Sequence, residues 1–233
     1  MKTKLITLLI AIFAVIGSAY TQTKVNIYKG SDVLYSLPVA EIDSIKFDKQ
    51  KNYNKNAHEY VDLGLSVKWA TCNVGADSPE DYGDYFAWGE TSSKDIYSSK
   101  TYNCSLDVYT TPTLPLLYDV ANVKWGDGWR MPTVVEQEEL RDTNNCIWTW
   151  TTQNGINGFR VTSKKNGNSI FLPAAGYRYE GNLIYEGYSA GYWSSSVNTQ
   201  GYSYAFYIAI SSGSVIEGSN NKYLGHSIRP VCE

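Results

Sequence analysis

Two histidines are the first residues to consider for catalysis, because imidazole is the side chain most often used as a general base. His58 lies in a segment rich in Lys and Asn, and His226 lies in a predicted C-terminal loop. We expect both to be solvent-exposed. A serine of the run 194–196 would need an orienting acid to form a triad with either one, and the sequence indicates none. Glycine motifs that bind phosphate, G-x-x-x-x-G-K and G-x-G-x-x-G, do not occur.

Carboxylates are the next candidates, because Glu136, Glu138 and Glu139 fall within about one helical turn. Thr133 and Glu136 have the spacing of a capping box, which predicts a helix from this point to about Asp142. Glycosidase carboxylates face each other across about 5 to 10 Å, a geometry that neighbours on one helix do not supply. We therefore assign no catalytic residue and predict that the protein is not an enzyme.

A loop with three aspartates, Asp77, Asp81 and Asp84, could offer oxygen ligands to calcium. The loop lacks the spacing of an EF-hand, and Asp and Gly are common in turns for conformational reasons. We assign no metal and no cofactor.

The C-terminal third of the chain interleaves aromatic and amide side chains, the composition of adaptable binding surfaces. The alternative is that these aromatics pack half-buried on a sheet. We predict ligand binding by eight residues there: Tyr192, Trp193, Asn198, Tyr202, Tyr204, Asn220, Asn221 and Tyr223.

The N-terminus predicts export. Lys2 and Lys4 precede an apolar run that ends at Gly17 and is shorter than the about 20 residues of a membrane span, so residues 1–19 are predicted to be a signal peptide. No cysteine lies next to the predicted cleavage point to carry a lipid. The expected location is periplasmic, cell-surface associated or secreted. Removing the two lysines takes the formal net charge from −3 to −5, which argues against a nucleic-acid partner.

The predicted mature chain has three parts: a small β-hairpin unit (20–47), a linker rich in Lys and Asn (48–57) and one domain (58–233). Most of the domain after the predicted helix alternates in the manner of strands, with a strong hairpin signal at Asn166-Gly167. Export permits disulfides, and the sequence leaves open the pairing of Cys72, Cys104, Cys146 and Cys232.

Six separated blocks resemble a known family: YVDLGLSVKWA (60–70), YFAWGE (85–90), GWRMPT (128–133), FLPAAG (171–176), YWSSS (192–196) and SIRPVC (227–232). In order and spacing they resemble the Fibrobacter succinogenes major paralogous domain, a family of exported bacterial proteins. The segment from Arg130 through Glu138 is also similar to formylglycine-generating (sulfatase-modifying) enzymes, whose fold is related to C-type lectins. Those enzymes use a close pair of C-terminal cysteines, which this chain lacks.

Taken together, the sequence predicts an α+β, C-type-lectin-like domain with antiparallel strands, one or two short helices and long loops, preceded by the hairpin. The predicted function is binding of a glycan, a polysaccharide or a surface protein through the C-terminal loops. Two alternatives stay open: a structural cell-envelope protein without a discrete ligand, and a diverged enzyme of the sulfatase-modifying type.

Overall fold

The computed structural model describes residues 24–29, 32–38, 58–104, 112–126, 128–201 and 203–233. The chain divides into two units between Lys51 and Asn52, and each unit is described by itself. The predicted signal peptide and the predicted linker lie outside the described residues.

The N-terminal unit contains two strands, β1 (Lys24–Lys29) and β2 (Asp32–Pro38). They pair antiparallel, with Lys24 opposite Pro38. The pairing confirms the hairpin predicted within residues 20–47.

The described part of the C-terminal unit contains two helices and twelve strands. In chain order they are β3 (Tyr60–Val61), β4 (Lys68–Ala70), α1 (Val120–Trp125), β5 (Trp129–Arg130), α2 (Val134–Arg141), β6 (Cys146–Gln153), β7 (Ile156–Ser163), β8 (Ser169–Pro173), β9 (Tyr177–Tyr179), β10 (Asn182–Ile184), β11 (Ser189–Val197), β12 (Tyr204–Ser211), β13 (Ser214–Asn221) and β14 (Val231–Cys232).

One four-stranded sheet joins the two ends of this unit, in the order β3-β4-β14-β5. The last strand, β14, pairs antiparallel with β4 on one side and with β5 on the other. We expected a longer strand over residues 227–231. Only Val231 and Cys232 form it, because the backbone before them bonds individually to other segments, as when Val74 N–H donates to the Ile228 carbonyl.

Both helices are short and capped by side chains. Helix α2 has the predicted capping box: Glu136 N–H donates to the Thr133 hydroxyl, and Thr133 N–H donates to the Glu136 carboxylate. Helix α1, which we did not predict, begins after Asp119, whose carboxylate accepts from the first-turn N–H groups of Ala121 and Asn122. Such caps satisfy backbone donors that have no partner inside the helix.

Two antiparallel meanders form most of the remaining structure, β6-β7-β8 and β11-β12-β13. Asn166-Gly167 lies between β7 and β8, as predicted. A second Asn-Gly pair joins β6 to β7, with φ of 48° at Asn154 and 84° at Gly155. Positive φ at both central residues is the requirement of a type I′ hairpin turn, which explains the asparagine and the glycine. The C-terminal meander is confirmed.

The core has two clusters of buried side chains. The first includes Leu140 of α2, Phe159 of β7 and Ile208 of β12, and the second is rich in tryptophan, with Trp88 and Trp193 fully buried. Burial of aromatic side chains of this size typically contributes about 3 to 5 kcal/mol each, so these clusters hold the strands and helices together.

The unit is therefore a β-rich α+β domain built mainly from antiparallel sheets, with two short helices in its described part. None of the helices described is long and apolar enough to cross a membrane.

Candidate functional site

Two of the eight predicted ligand-binding residues, Tyr192 and Trp193, lie in the core. The Tyr192 hydroxyl donates to the Pro173 carbonyl at 2.7 Å, and the Trp193 indole N–H donates to the Phe86 carbonyl at 2.9 Å. Strand β11 is buried on both faces, so its aromatic side chains pack inward in either direction. Both side chains are therefore buried in the core and form no part of the exposed surface.

Three other predicted residues, Asn198, Tyr204 and Asn221, lie at one end of the C-terminal meander. Tyr204 and Asn221 are opposite each other in the β12–β13 register. Asn198 N–H donates to the Tyr204 carbonyl at 3.3 Å, which closes the turn after β11. We call these three residues the turn surface. Tyr202 lies outside the described residues.

The last two predicted residues, Asn220 and Tyr223, do not belong to the turn surface. We expected both in a loop, but Asn220 belongs to β13. Its side-chain amide nitrogen lies 3.5 Å from Nε2 of His226. The Tyr223 ring lies 6.4 Å from the Tyr179 ring on β9. Asn220 also lines a groove on one face of the meander.

This groove has a volume of about 340 Å³. It lies along β12 and β13, on the opposite side of the meander from α2. We call it the aromatic groove, and it is lined by Tyr177, Ser189, Ala190, Gly191, Tyr207, Ala209, Ile210, Ser211, Ser214, Ile216, Asn220 and His226.

Strand alternation builds the floor of the aromatic groove. Ile208 belongs to the first core cluster, while its neighbours Tyr207 and Ala209 line the groove. Ile210 belongs to the same cluster and also borders the groove. Gly191 is the register partner of Ala209. Two small residues are therefore paired here, and the space beside Gly191 is occupied by the His226 ring.

His226 sits at one end of the aromatic groove, packed among aromatic rings. Its imidazole stacks on Tyr207, with ring centroids 5.0 Å apart and an angle of 17°, and lies edge-on to Trp193 at 4.5 Å. A side chain at position 191 would overlap the imidazole, so only glycine leaves room for it. We expected an exposed loop histidine, but His226 is only 1% exposed because β11, β12 and β9 enclose it.

The imidazole of His226 is neutral over the whole physiological range, because burial lowers its pKa to about 3. The Asn220 amide donates to Nε2, which places the ring proton on Nδ1. Nδ1 has no hydrogen-bond partner among the described residues. An unpaired buried donor costs about 1 to 3 kcal/mol. This nitrogen lies against the Gly191 backbone and is not exposed to the groove.

Further tyrosines surround the aromatic groove. Tyr177 of β9 lies 5.6 Å from the His226 ring and 6.1 Å from the Tyr185 ring. Tyr185 is 63% exposed. Exposed aromatic rings around a concave surface are typical of binding sites.

The pentapeptide at 187–191, Gly-Tyr-Ser-Ala-Gly, has the G-x-S-x-G spacing of serine hydrolases. In those enzymes the serine lies on a turn from a strand into a helix. Here Ser189 begins strand β11, and its carbonyl accepts from Gly176 N–H at 2.6 Å. The local structure is the start of a strand and not a nucleophile elbow.

The segment that resembles sulfatase-modifying enzymes forms an ion pair. Both guanidinium nitrogens of Arg130 bond to the Glu136 carboxylate, at 2.8 and 2.6 Å, and a third contact joins Arg130 to Glu233 at 3.2 Å. These bonds fix α2 to the end of the chain. The ion pair lowers the pKa of Glu136 despite the opposing effect of burial.

The aspartate loop and the cysteines show no metal site. Asp81 accepts from Ser78 N–H at 2.9 Å, as a turn residue does. Within the described segments, no group of three His, Cys, Asp or Glu side chains is arranged to hold a metal ion. All four cysteines are unpaired, and burial raises the pKa of the Cys146 thiol to about 11.

Sequence reasoning missed most of the aromatic groove. Of its lining, only Asn220 was predicted, while Tyr177, Gly191, Tyr207 and His226 were not. One signal was present: in residues 207–210 the alternation of Tyr and Ala with Ile indicates a strand with one face in the core. The groove-facing side of that strand could have been inferred from this pattern.

Comparisons with protein-family models, with curated proteins and with solved structures find no match to this chain. The function is therefore argued from the groove itself.

Proposed function

We propose that this chain is an exported ligand-binding protein and that its ligand is a glycan segment held in the aromatic groove. The observation that carries the proposal is a groove of about 340 Å³ that is bordered by the rings of Tyr177 and Tyr207 and by the Asn220 amide. A binding site needs a few fixed polar groups inside an otherwise apolar surface, and this groove has them.

The groove is also large enough to hold a sugar ring. Its volume of about 340 Å³ falls near the lower end of the range for small-ligand sites. Ala209 presents an apolar side chain to the C–H groups of a ring, and the phenols of Tyr177 and Tyr207 also line the groove. Each phenol both donates and accepts a hydrogen bond, as each sugar hydroxyl does.

The buried Lys222 ammonium is not part of this site. The Lys222 ammonium also has no hydrogen-bond partner in the described part of the chain, but it lies 4.5 Å from the Trp88 ring centroid. A cation over an aromatic face is itself a favourable arrangement. Lys222 is 4% exposed and does not line the groove, so its position is explained by packing inside the fold.

The family and the finer fold belong to the same proposal. The six sequence blocks support a member of the Fibrobacter succinogenes major paralogous domain family with a C-type-lectin-like fold. Several of these blocks supply core residues, among them Trp69, Trp88, Trp129 and Trp193, which accounts for their apolar composition. Export is supported by Lys2, Lys4 and the apolar run that follows.

A binding screen with matched variants tests the proposal. The chain from residue 20 onward is applied to an array of glycans, as wild type, with groove substitutions Tyr177→Ala and Asn220→Ala, and with turn-surface substitutions Tyr204→Ala and Asn198→Ala. We expect the groove variants to weaken binding by about tenfold or more, which corresponds to about 1.4 kcal/mol, while the turn-surface variants bind as wild type does.

The controls separate a lost site from a lost fold. Each variant must keep the wild-type circular dichroism spectrum before its binding is compared. Loss of binding in the turn-surface variants alone would return the site to the residues first predicted from the sequence. No binding by the folded wild type to any glycan would favour a structural role in the cell envelope.

A further inference from the structure

Resting on the proposed function, we infer that the aromatic groove selects uncharged sugar units and rejects acidic ones such as uronic acids and sulfated or phosphorylated sugars. The groove is lined along its described length by aromatic, aliphatic, hydroxyl and amide side chains, with no Asp, Glu, Lys or Arg among them. An acidic sugar would leave water there without meeting a positive charge. Burying an anion without a partner is strongly unfavourable.

His226 does not supply that positive charge. Its ring is enclosed by Tyr177 from β9, Trp193 from β11, Tyr207 from β12 and Asn220 from β13, none of which is charged at neutral pH. Burial holds the pKa of His226 at about 3 and raises the pKa of both Tyr177 and Tyr207. The groove therefore stays uncharged between about pH 5 and pH 9.

The charged side chain of strand β13 lies on the face of the sheet opposite the groove. Ile216 lines the groove, and the next residue, Glu217, points toward α2, where its carboxylate lies 3.2 Å from the Arg141 guanidinium. Successive side chains of a strand alternate between faces, so the charge is kept on the helix side. One face of the meander is an ion-paired interface and the other is a neutral groove.

Hydroxyl groups that suit an uncharged sugar lie at the end of the groove opposite His226. Ser189, Ser211 and Ser214 come together there, because Ser211 is the register partner of Ser189 on β11 and of Ser214 on β13. A serine hydroxyl donates one hydrogen bond and accepts others, as a sugar hydroxyl does. The two ends of the groove can thus bind hydroxyls of consecutive sugar units without any ionic contact.

Paired oligosaccharides test this selectivity. Binding of the wild-type chain from residue 20 onward is measured with neutral gluco-oligosaccharides and with the same oligomers oxidised to glucuronic acid, at pH 5, 7 and 9. We expect the neutral partner to bind about tenfold or more tightly, with affinity unchanged across this pH range. Preference for the acidic partner, equal binding of both, or a strong pH dependence would overturn the inference while leaving glycan binding intact. If neither partner binds and no other glycan on the array binds, the proposed function fails and this inference fails with it.

A charge-adding variant sharpens the test. Ile216 is 54% exposed at the groove, and Ile147 on β6 is 50% exposed outside it, so the two isoleucines form a matched pair. We expect Ile216→Lys to shift preference toward the acidic oligosaccharide, Ile216→Gln to keep the neutral preference, and Ile147→Lys to change nothing. If Ile147→Lys shifts the preference as much as Ile216→Lys does, the selectivity comes from overall charge and the inference fails.

Discussion

Two polar regions of this domain differ in whether their groups satisfy one another. In the first, which we call the cap cluster, Asp119, Arg130, Thr133 and Glu136 bond to each other or to backbone groups at both helix starts. In the second, the aromatic groove, hydroxyl and amide side chains border open space. Polar groups that bond to one another within the fold serve stability, while polar groups that border open space are available to a ligand.

Removal of the Asp119 carboxylate should have the largest effect on stability. This buried side chain accepts from Ala121, Asn122 and Met131 N–H groups, so Asp119→Ala leaves three donors unpaired. We expect a loss of about 3 kcal/mol in the free energy of unfolding, measured with urea. Asp142→Ala is the control, because that aspartate is exposed, and it should cost less than about 1 kcal/mol. Equal losses in both variants would contradict the role assigned to the cap cluster.

A methyl group in the groove should have the next largest effect. Gly191→Ala overlaps the imidazole of His226, which cannot move because Trp193 and Tyr207 enclose it. We expect a loss of about 2 kcal/mol in unfolding free energy, together with loss of glycan binding. Gly213→Ala lies in the same meander with open space around it and should change stability by less than about 0.5 kcal/mol. A stable Gly191→Ala variant that still binds would show that His226 is not held as described.

The stability contributed by one titrating group in each region should change with pH in opposite directions. The pKa of His226 is lower in the folded chain than in the unfolded one, so its contribution to stability is lost as the pH falls from about 6.5 to 3. Burial raises the pKa of Asp119 to about 6 against the effect of its three donors, so its contribution is lost as the pH rises from about 4 to 6.

Unfolding measured as a function of pH checks both signs. Over these windows each group changes the unfolding free energy by up to about 1.4 kcal/mol per pH unit. Relative to wild type, His226→Gln should remove a loss of stability on acidification, and Asp119→Asn should remove a loss on going from pH 4 to 6. Parallel curves for wild type and both variants would contradict these assignments.

The sequence predicts the cap cluster better than the groove because the cap depends on neighbours in the chain. The capping box of Thr133 and Glu136 is a spacing of three residues, and it was predicted and found. Helix α1 was missed although Asp119 caps it, because six residues give too little periodicity to recognise. Strand β6 was missed although its turn at Asn154-Gly155 carries the same signal as the Asn166-Gly167 turn that was predicted.

The groove could not be predicted in the same way, because four separate strands and a loop bring its residues together. Tyr177 and His226 are far apart in the chain and meet only through packing. The aromatic composition of the C-terminal third pointed to the meander that borders the groove but, apart from Asn220, not to the residues that line it. Tyrosine and tryptophan are found both on binding surfaces and in cores. Residue type alone therefore does not show that Tyr192 and Trp193 are buried.

The central claim is that the ligand binds in the aromatic groove and not at the turn surface. The most direct measurement is a ¹H–¹⁵N NMR titration of the chain with a neutral oligosaccharide that binds, following the side-chain amides of Asn220 and Asn198. We expect the Asn220 amide and the Gly191 backbone N–H to shift with added ligand while the Asn198 side chain stays in place. Shifts at Asn198 and Tyr204 with none at Asn220 or Gly191 would contradict the account.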